Sequence, residues 1–463
     1  MSRFCSSSLN SILKEIDIVN PKGSLNINDS TVSSIYNAAE NINNQVVSQN
    51  GRPKIDWDKN LDDILTSRIW GFPSMLLLLG IIFWMTVAGA NVPSAMIADG
   101  LFWGQDRLTD LCNYLQAPAW FHGLFVEGIY RSLAWVVSVM LPPMAIFFPC
   151  FSLLEDLGYL PRVAFNLDRL FKKAGAHGKQ SLTMSMGFGC NAAGIVACRI
   201  IESPRERIIA MLTNNFVPCN GRFPTLIALA GILVFGMGST FGATAIVVGI
   251  VLLGIVVTLA VSWTLSKTLL KGVPSSFTLE LPPYRKPQIG KIIIRSVFDR
   301  TLFVLGRAVC VAAPAGAVTW LLANIYVGDL SVLAHCAQWL NPFALAIGLD
   351  GFILMAFILG LPANEIVLPI LIMSYLATGS MTELESIEDL YKLFVIEHGW
   401  TWLTAVSMML FTLLHYPCGT TLWTIRKESG SIKWTILAGL IPLGIACAIC
   451  FIVTQTCKIL GWV

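Results

Sequence analysis

The chain has 463 residues, of which 55% are hydrophobic and 13% are charged. Its mean hydropathy is +0.68, and soluble domains carry nearer a quarter charged residues. That excludes an ordinary soluble enzyme and predicts an all-α polytopic membrane protein. The net charge of +3 says little, because the placement of Lys and Arg matters more than their sum.

Residues 1–68 are polar and rich in Asn and Ser. They read as a cytosolic segment, part helix and part linker, with no signal peptide. A first span is expected from Trp70 to Ala90. The connection Asn91 to Ala119 carries Leu101, Leu108, Leu111 and Leu115 at helical spacing, which suggests an interfacial helix. A long span follows, from about Phe121 to Leu154. Its Glu127 and Arg131 stand i,i+4 and are expected to pair. Pro142 and Pro143 are expected to kink it. Arg162, Arg169, Lys172, Lys173 and Lys179 then form a basic loop.

The segment Ser181 to Cys198 is short, and Gly187 and Gly189 break it before Cys190 and Asn191. Basic residues flank it on both sides. A single crossing would put one of those flanks outside, against the positive-inside bias. It therefore reads as a re-entrant hairpin. The next apolar run is interrupted by Asn214, Asn215, Pro218, Cys219, Asn220, Gly221 and Arg222. Irregular backbone at membrane depth survives only where protein or a water-filled path surrounds it. Polar groups there are functional candidates. Arg222 is expected to pair with a carboxylate, Glu365 or Glu127. Thr225 to Phe235 completes this span, Gly236 to Thr240 makes a tight turn, and another span ends near Leu265. The loop Lys267 to Arg300 is basic and proline-rich (LPPYRKP).

The second half opens with a span from Thr301 to Ile325 and a connection that carries no Lys or Arg through Leu349. Gly351 to Leu376 is broken by GLPANE and reads as a second hairpin, entering from the opposite side. After an acidic stretch (TELESIEDLYKL), Trp400 to Tyr416 runs into HYPCGTT, and Trp434 to Cys457 is the last span. Each half thus pairs an Asn-tipped hairpin with a Pro-Cys break. That is an inverted repeat with its site near the midplane.

These residues resemble the membrane part of the ferrous iron transport protein B (FeoB) family. The matching strings are GFGCNAAGIVACRIIESPRER, NNFVPCNGRFP, GLPANEIVLP and YPCGTTLWTIRKESGSIKW. The resemblance implies two Gate-type units, within 69–290 and 291–463. It implies that Cys190 and Cys219 line an iron path, with Glu365 and Cys418 in the second gate. Many family members carry Lys where Asn364 stands. The family normally begins with a GTP-binding domain, and no G-x-x-x-x-G-K-[ST] occurs here. The resemblance thus leaves two alternatives: the nucleotide domain is a separate polypeptide, or this paralogue works without it. The candidate partners are a separate GTPase, a small FeoA-like cytosolic protein and a second copy of the chain.

Fe(II) is borderline in softness and accepts mixed sulfur, nitrogen and oxygen donors. The candidate metal ligands are Cys190, Asn191, Cys219, Asn220, Glu365, His415 and Cys418. Cys198, Cys310, Cys447 and Cys450 read as packing. His122, His177, His335 and His398 fall near loops and read as solvated, and Trp400, Trp402, Trp423 and Trp434 as interfacial anchors. The expected function is transport of Fe2+ into the cytoplasm across the cell inner membrane, with the N-terminus cytoplasmic, no bound nucleotide, no nucleic-acid partner and no catalysis. The alternative is a carrier of another divalent metal or a nucleoside-like solute.

Overall fold

A computed structural model describes residues 27–46, 57–67, 70–235, 240–271, 284, 288–381, 384 and 386–461. They fall into two units. The small one lies within Met1–Asn60 and contains helix α1 (Ile27–Val46). The large one runs from Leu61 onward. Residues 236–239 of the expected turn, most of LPPYRKP and residues 382, 383 and 385 of the acidic stretch lie outside the described residues, as do the remaining parts of 1–68.

Helix α2 (Trp57–Leu65) leads into α3, Gly71–Tyr114. The 44 residues of α3 form one helix, about 66 Å long at 1.5 Å per residue. The expected boundary at Asn91 is therefore absent. Polarity rises there, but the i→i+4 ladder has no reason to stop, and Pro93 stands inside it. Helix α4 (Ala119–Asp156) is the next span, with a π-helical stretch at Gly123–Tyr130. It continues through Pro142 and Pro143 without a break. Glu127 and Arg131 form no ion pair among the described residues; Arg131 donates to Ser380 Oγ at 3.3 Å.

Helix α5 (Tyr159–Lys173) replaces the expected basic loop. Its Arg162 is only 2% exposed and holds both Asp62 carboxylate oxygens, at 2.9 and 3.1 Å. The Tyr284 ring lies 4.2 Å from the guanidinium carbon, and its hydroxyl donates to Asp62 at 2.8 Å. The Arg162 hydrogen bonds hold the Asp62 carboxyl below its ordinary 3.8. A carboxyl with a depressed folded value stabilises the fold above its unfolded pKa. That stabilisation fades as pH falls through the folded value. Acidification below about pH 4 is therefore expected to release α2, read as faster proteolysis between residues 57 and 67. Asp62→Asn is expected to remove that pH dependence.

The hairpin and its partner follow: α6 (Gln180–Gly189), α7 (Asn191–Ala197), α8 (Pro204–Thr213), α9 (Phe223–Val234) and α10 (Thr240–Lys267). The second half has α11 (Ile289–Arg295), α12 (Leu302–Asn324), a two-residue β-hairpin and α13 (Val332–Ala346). The expected connection after Ile325 is thus largely helix. Then come α14 (Gly351–Leu359), α15 (Val367–Leu376), α16 (Ile387–Tyr391), α17 (Trp402–Leu414), α18 (Gly419–Ser429) and α19 (Ile432–Ile459). Among the described residues, five helices are long and apolar enough to cross a bilayer, or seven if each bent pair counts as one span. This is a multi-pass membrane protein.

Several side chains sit elsewhere than expected. Trp400 is 6% exposed, stacks on Phe394 at 4.5 Å and donates from Nε1 to the Tyr375 hydroxyl at 3.0 Å. It packs instead of anchoring at an interface. His177 is 5% exposed, and its Nδ1 accepts from the Lys179 amide. His398 is exposed, as expected, with its ring 4.0 Å from that of Tyr375. The Tyr375 partner of Trp400 lies 25 residues away, whereas His177 is held by an amide two residues on.

Candidate functional site

The first hairpin turns where helix propensity fails. Gly187 and Gly189 weaken the end of α6, and Cys190 is fully extended (φ −156°, ψ 123°) before α7 resumes at Asn191. The returning arm comes close because Gly194 has no Cβ: one there would lie 2.8 Å from the Thr183 carbonyl. At the root, Lys179 Nζ reaches the Ile200 carbonyl and the Glu202 carboxylate, both at 3.2 Å. Both ends of the hairpin therefore lie on one face.

The second hairpin repeats this. Asp350 caps α14, accepting from the Ile353 amide at 2.7 Å. Ala363 at the tip is extended (φ −150°, ψ 122°), as Cys190 is, and an Asn follows each. At the root the Tyr375 hydroxyl donates to the Asp350 carboxylate. The two roots lie on opposite faces. Ser296, before α12, is 3.3 Å from Ser152 near the end of α4. Asn324, which ends α12 about 34 Å away, donates to the Gly379 carbonyl beside the second root at 2.8 Å.

Each hairpin has a broken partner. After α8 the chain passes through a 3-10 turn, Asn214–Phe216, and the extended Val217-Pro218-Cys219 before α9. After α17 it passes through His415-Tyr416-Pro417-Cys418 before α18. Such breaks strip carbonyls of their helical partners. Arg222, fully buried, supplies them. Its NH1 donates to the carbonyls of Asn215 (2.7 Å) and Leu413 (2.9 Å). Its NH2 donates to Asn215 Oδ1 (3.0 Å) and to the carbonyls of His415 and Tyr416 (both 3.2 Å). Arg222 thus ties the two breaks together, and the expected carboxylate pairing is not what holds it.

Hairpin tips and breaks surround one cavity of about 30 Å³, room for a water or a small ion. Cys190, Asn191, Cys219, Asn220, Glu365 and Cys418 line it. His415 does not: its Nδ1 lies 2.9 Å from the Phe411 carbonyl, and its ring packs at 4.8 Å from Phe357. Met140, Met144, Asn364, Thr420 and Thr421 also line the cavity and were not sequence candidates as ligands. The pair flanking Pro142-Pro143 at i,i+4 carried a signal for the methionines. Asn364 is 5% exposed, and its Oδ1 has no hydrogen-bond partner among the described residues. Its Nδ2 lies 3.9 Å from Cys219 Sγ, and Cys418 Sγ lies 3.2 Å from Thr421 Oγ1. The Glu365 carboxylate rests where a Cβ on Gly221 would be, so only glycine admits it there. Among the described residues no three His, Cys, Asp or Glu side chains cluster tightly enough to hold a metal by themselves. The cavity is a loose set of donors and no closed cage.

The family model Gate, described as nucleoside recognition, matches residues 137–233 and 305–432, which takes in both hairpins and both breaks. A model for the ferrous iron transport protein B C terminus matches 247–299. "Fe(2+) transporter FeoB" of Staphylococcus aureus (strain MSSA476) is 31% identical over 420 residues, covering 90% of this chain and 61% of the relative. The FeoB of Methanocaldococcus jannaschii is 29% identical over 444 residues, covering 93% and 62%. A "Fe(2+) transport protein A/Fe(2+) transporter FeoB fusion protein" of Porphyromonas gingivalis is 27% identical over 440 residues, covering 85% and 51%. No solved structure matches. The chain spans about three-fifths or less of the length of these curated relatives. With two Gate matches around one cavity and FeoB relatives along nine-tenths of its length, the chain belongs to the FeoB family, as its membrane, Gate-bearing portion.

Proposed function

We propose that this chain carries Fe2+ across the cell inner membrane into the cytoplasm, through the cavity between the hairpin tips. The observation that carries the reading is that six of the candidate ligands, from four separate breaks in the backbone, line one cavity. Three thiols, one carboxylate and several amides suit a borderline cation. Their looseness suits passage, since a conduit must bind weakly enough to let go. Coordination by a thiol releases its proton. Arg199, Arg205 and Arg207 stand beyond the root of the first hairpin, which makes that face cytoplasmic under the positive-inside bias. The printed name of the Porphyromonas relative supports a FeoA-like partner, and a separate GTPase and self-association belong to the same proposal.

The Gate description favours a second reading, a nucleoside-like solute. Size weighs against it, since organic ligands occupy roughly 300–1,000 Å³ and this cavity holds about 30 Å³. Uptake of radioactive Fe2+ and of uridine into anaerobic proteoliposomes separates the two. Iron is expected to accumulate above empty vesicles, and uridine is not. Uridine uptake without iron uptake would replace the first reading by the second.

A further inference from the structure

We propose that Met140 and Met144 form the selectivity element of the cavity, favouring ferrous iron over hard divalent cations such as Mn2+ and Mg2+. This rests on the transport reading above.

The cavity lining is chemically lopsided. Of the five sulfur side chains in the lining, the first half of the chain offers four, Met140, Met144, Cys190 and Cys219, beside the amides of Asn191 and Asn220. The second half offers mainly oxygen: Glu365, Asn364, Thr420 and Thr421, with Cys418 its only sulfur among the described lining residues. The backbone scaffold is nonetheless repeated. The helix that opens each Gate match reaches the same cavity, presenting Met140 and Met144 from α4 but Ala308 from α12. The two hairpin tips are extended alike, yet one carries Cys190 and the other Ala363. At the opening helix and at the hairpin tip the second half uses methyl groups, and it keeps sulfur only at the break, in Cys418. Sulfur is therefore not what the packing demands.

The methionines are placed to act. Positions i and i+4 share one helical face, and Met144 is 4% exposed. A thioether is a neutral, polarizable donor with no proton to lose. It binds soft and borderline cations and adds little for Mn2+, Mg2+ or Ca2+, which prefer oxygen. A carboxylate with amides alone would accept any of these ions. In the same lining, a pair of neutral sulfurs lowers the site's preference for the hard ones without adding charge that would trap the cargo. Among the described lining residues there is no imidazole to share this task.

Met140→Leu/Met144→Leu conserves volume closely. In anaerobic proteoliposomes it is expected to lower the Fe2+/Mn2+ uptake ratio about tenfold, in the range seen when the surroundings of a metal site are altered. The loss should fall on iron, with Mn2+ uptake changed less than about twofold. Met144→Cys, which returns a sulfur, is expected to recover part of the ratio. Competition of Mn2+ against bound Fe2+ on monodisperse detergent-solubilised single variants reads the same preference without requiring flux. An unchanged ratio in both assays overturns the proposal. If iron uptake still depends on Cys190 and Cys219, the transport reading stands and only the methionine role falls. If wild-type protein takes up no iron, both fall.

Discussion

Serine at both Cys190 and Cys219 is expected to cut iron uptake by about 100-fold, at the upper end of what altered metal surroundings cost. The swap is small. Both thiols are buried, 8% exposed each, and a hydroxyl fills nearly the same volume. The fold is therefore expected to survive, and monodisperse elution checks that. What changes is the donor: a hydroxyl is harder and does not ionise in the range where a metal-bound thiol does. Cys198→Ser serves as the control. Cys198 is fully buried, donates to the Gly194 carbonyl at 3.3 Å and does not line the cavity. Its uptake is expected to stay near wild type. Wild-type uptake from the double variant would reduce Cys190 and Cys219 to packing residues.

The second large effect concerns stability. Arg222→Leu is expected to destabilise the protein by roughly 3–5 kcal/mol, because several buried oxygens lose a donor at once. The guanidinium is fully buried and serves four backbone carbonyls at the two breaks together with Asn215 Oδ1, and of these the His415 carbonyl keeps a second donor in Asn215 Nδ2. Each oxygen left without a donor costs about 1–3 kcal/mol, and relaxation of the loops recovers part of the total. Lysine keeps the charge but offers one compact head in place of a planar fork, so Arg222→Lys is expected to rescue partly. Thermal melting in detergent distinguishes the three forms. A leucine variant that melts with wild type would show that water already serves these carbonyls.

The hairpins and breaks were legible because their cause is local. Gly189-Cys190-Asn191, Pro218-Cys219-Asn220 and Pro417-Cys418-Gly419 interrupt apolar runs with residues that end helices or expose backbone, and that cost is visible one residue at a time. The paired basic flanks exposed the re-entrant geometry in the same way. What stayed hidden depends on partners far along the chain. His415 resembles a ligand by type, yet its ring is taken up by Phe357 and its Nδ1 by its own helix end. Arg222 finds carbonyls near residue 415, and nothing close to it in sequence announces that. The continuity of α3 past Asn91 was missed because falling apolarity marks where a membrane ends, while a helix ends only where its ladder does.

The roots of the two hairpins have a mechanical consequence. Each arm is pinned at its own base, by Lys179 to Glu202 on one face and by Tyr375 to Asp350 on the other. The first pin is a salt bridge whose acid is largely in the open, with Glu202 80% exposed. The second is a hydroxyl-to-carboxylate bond in a half-buried aromatic nest. Ionic strength therefore loosens one fastening and scarcely touches the other. The two cantilevers that meet at mid-depth are unequally sprung, and the softer spring faces the side with the arginines.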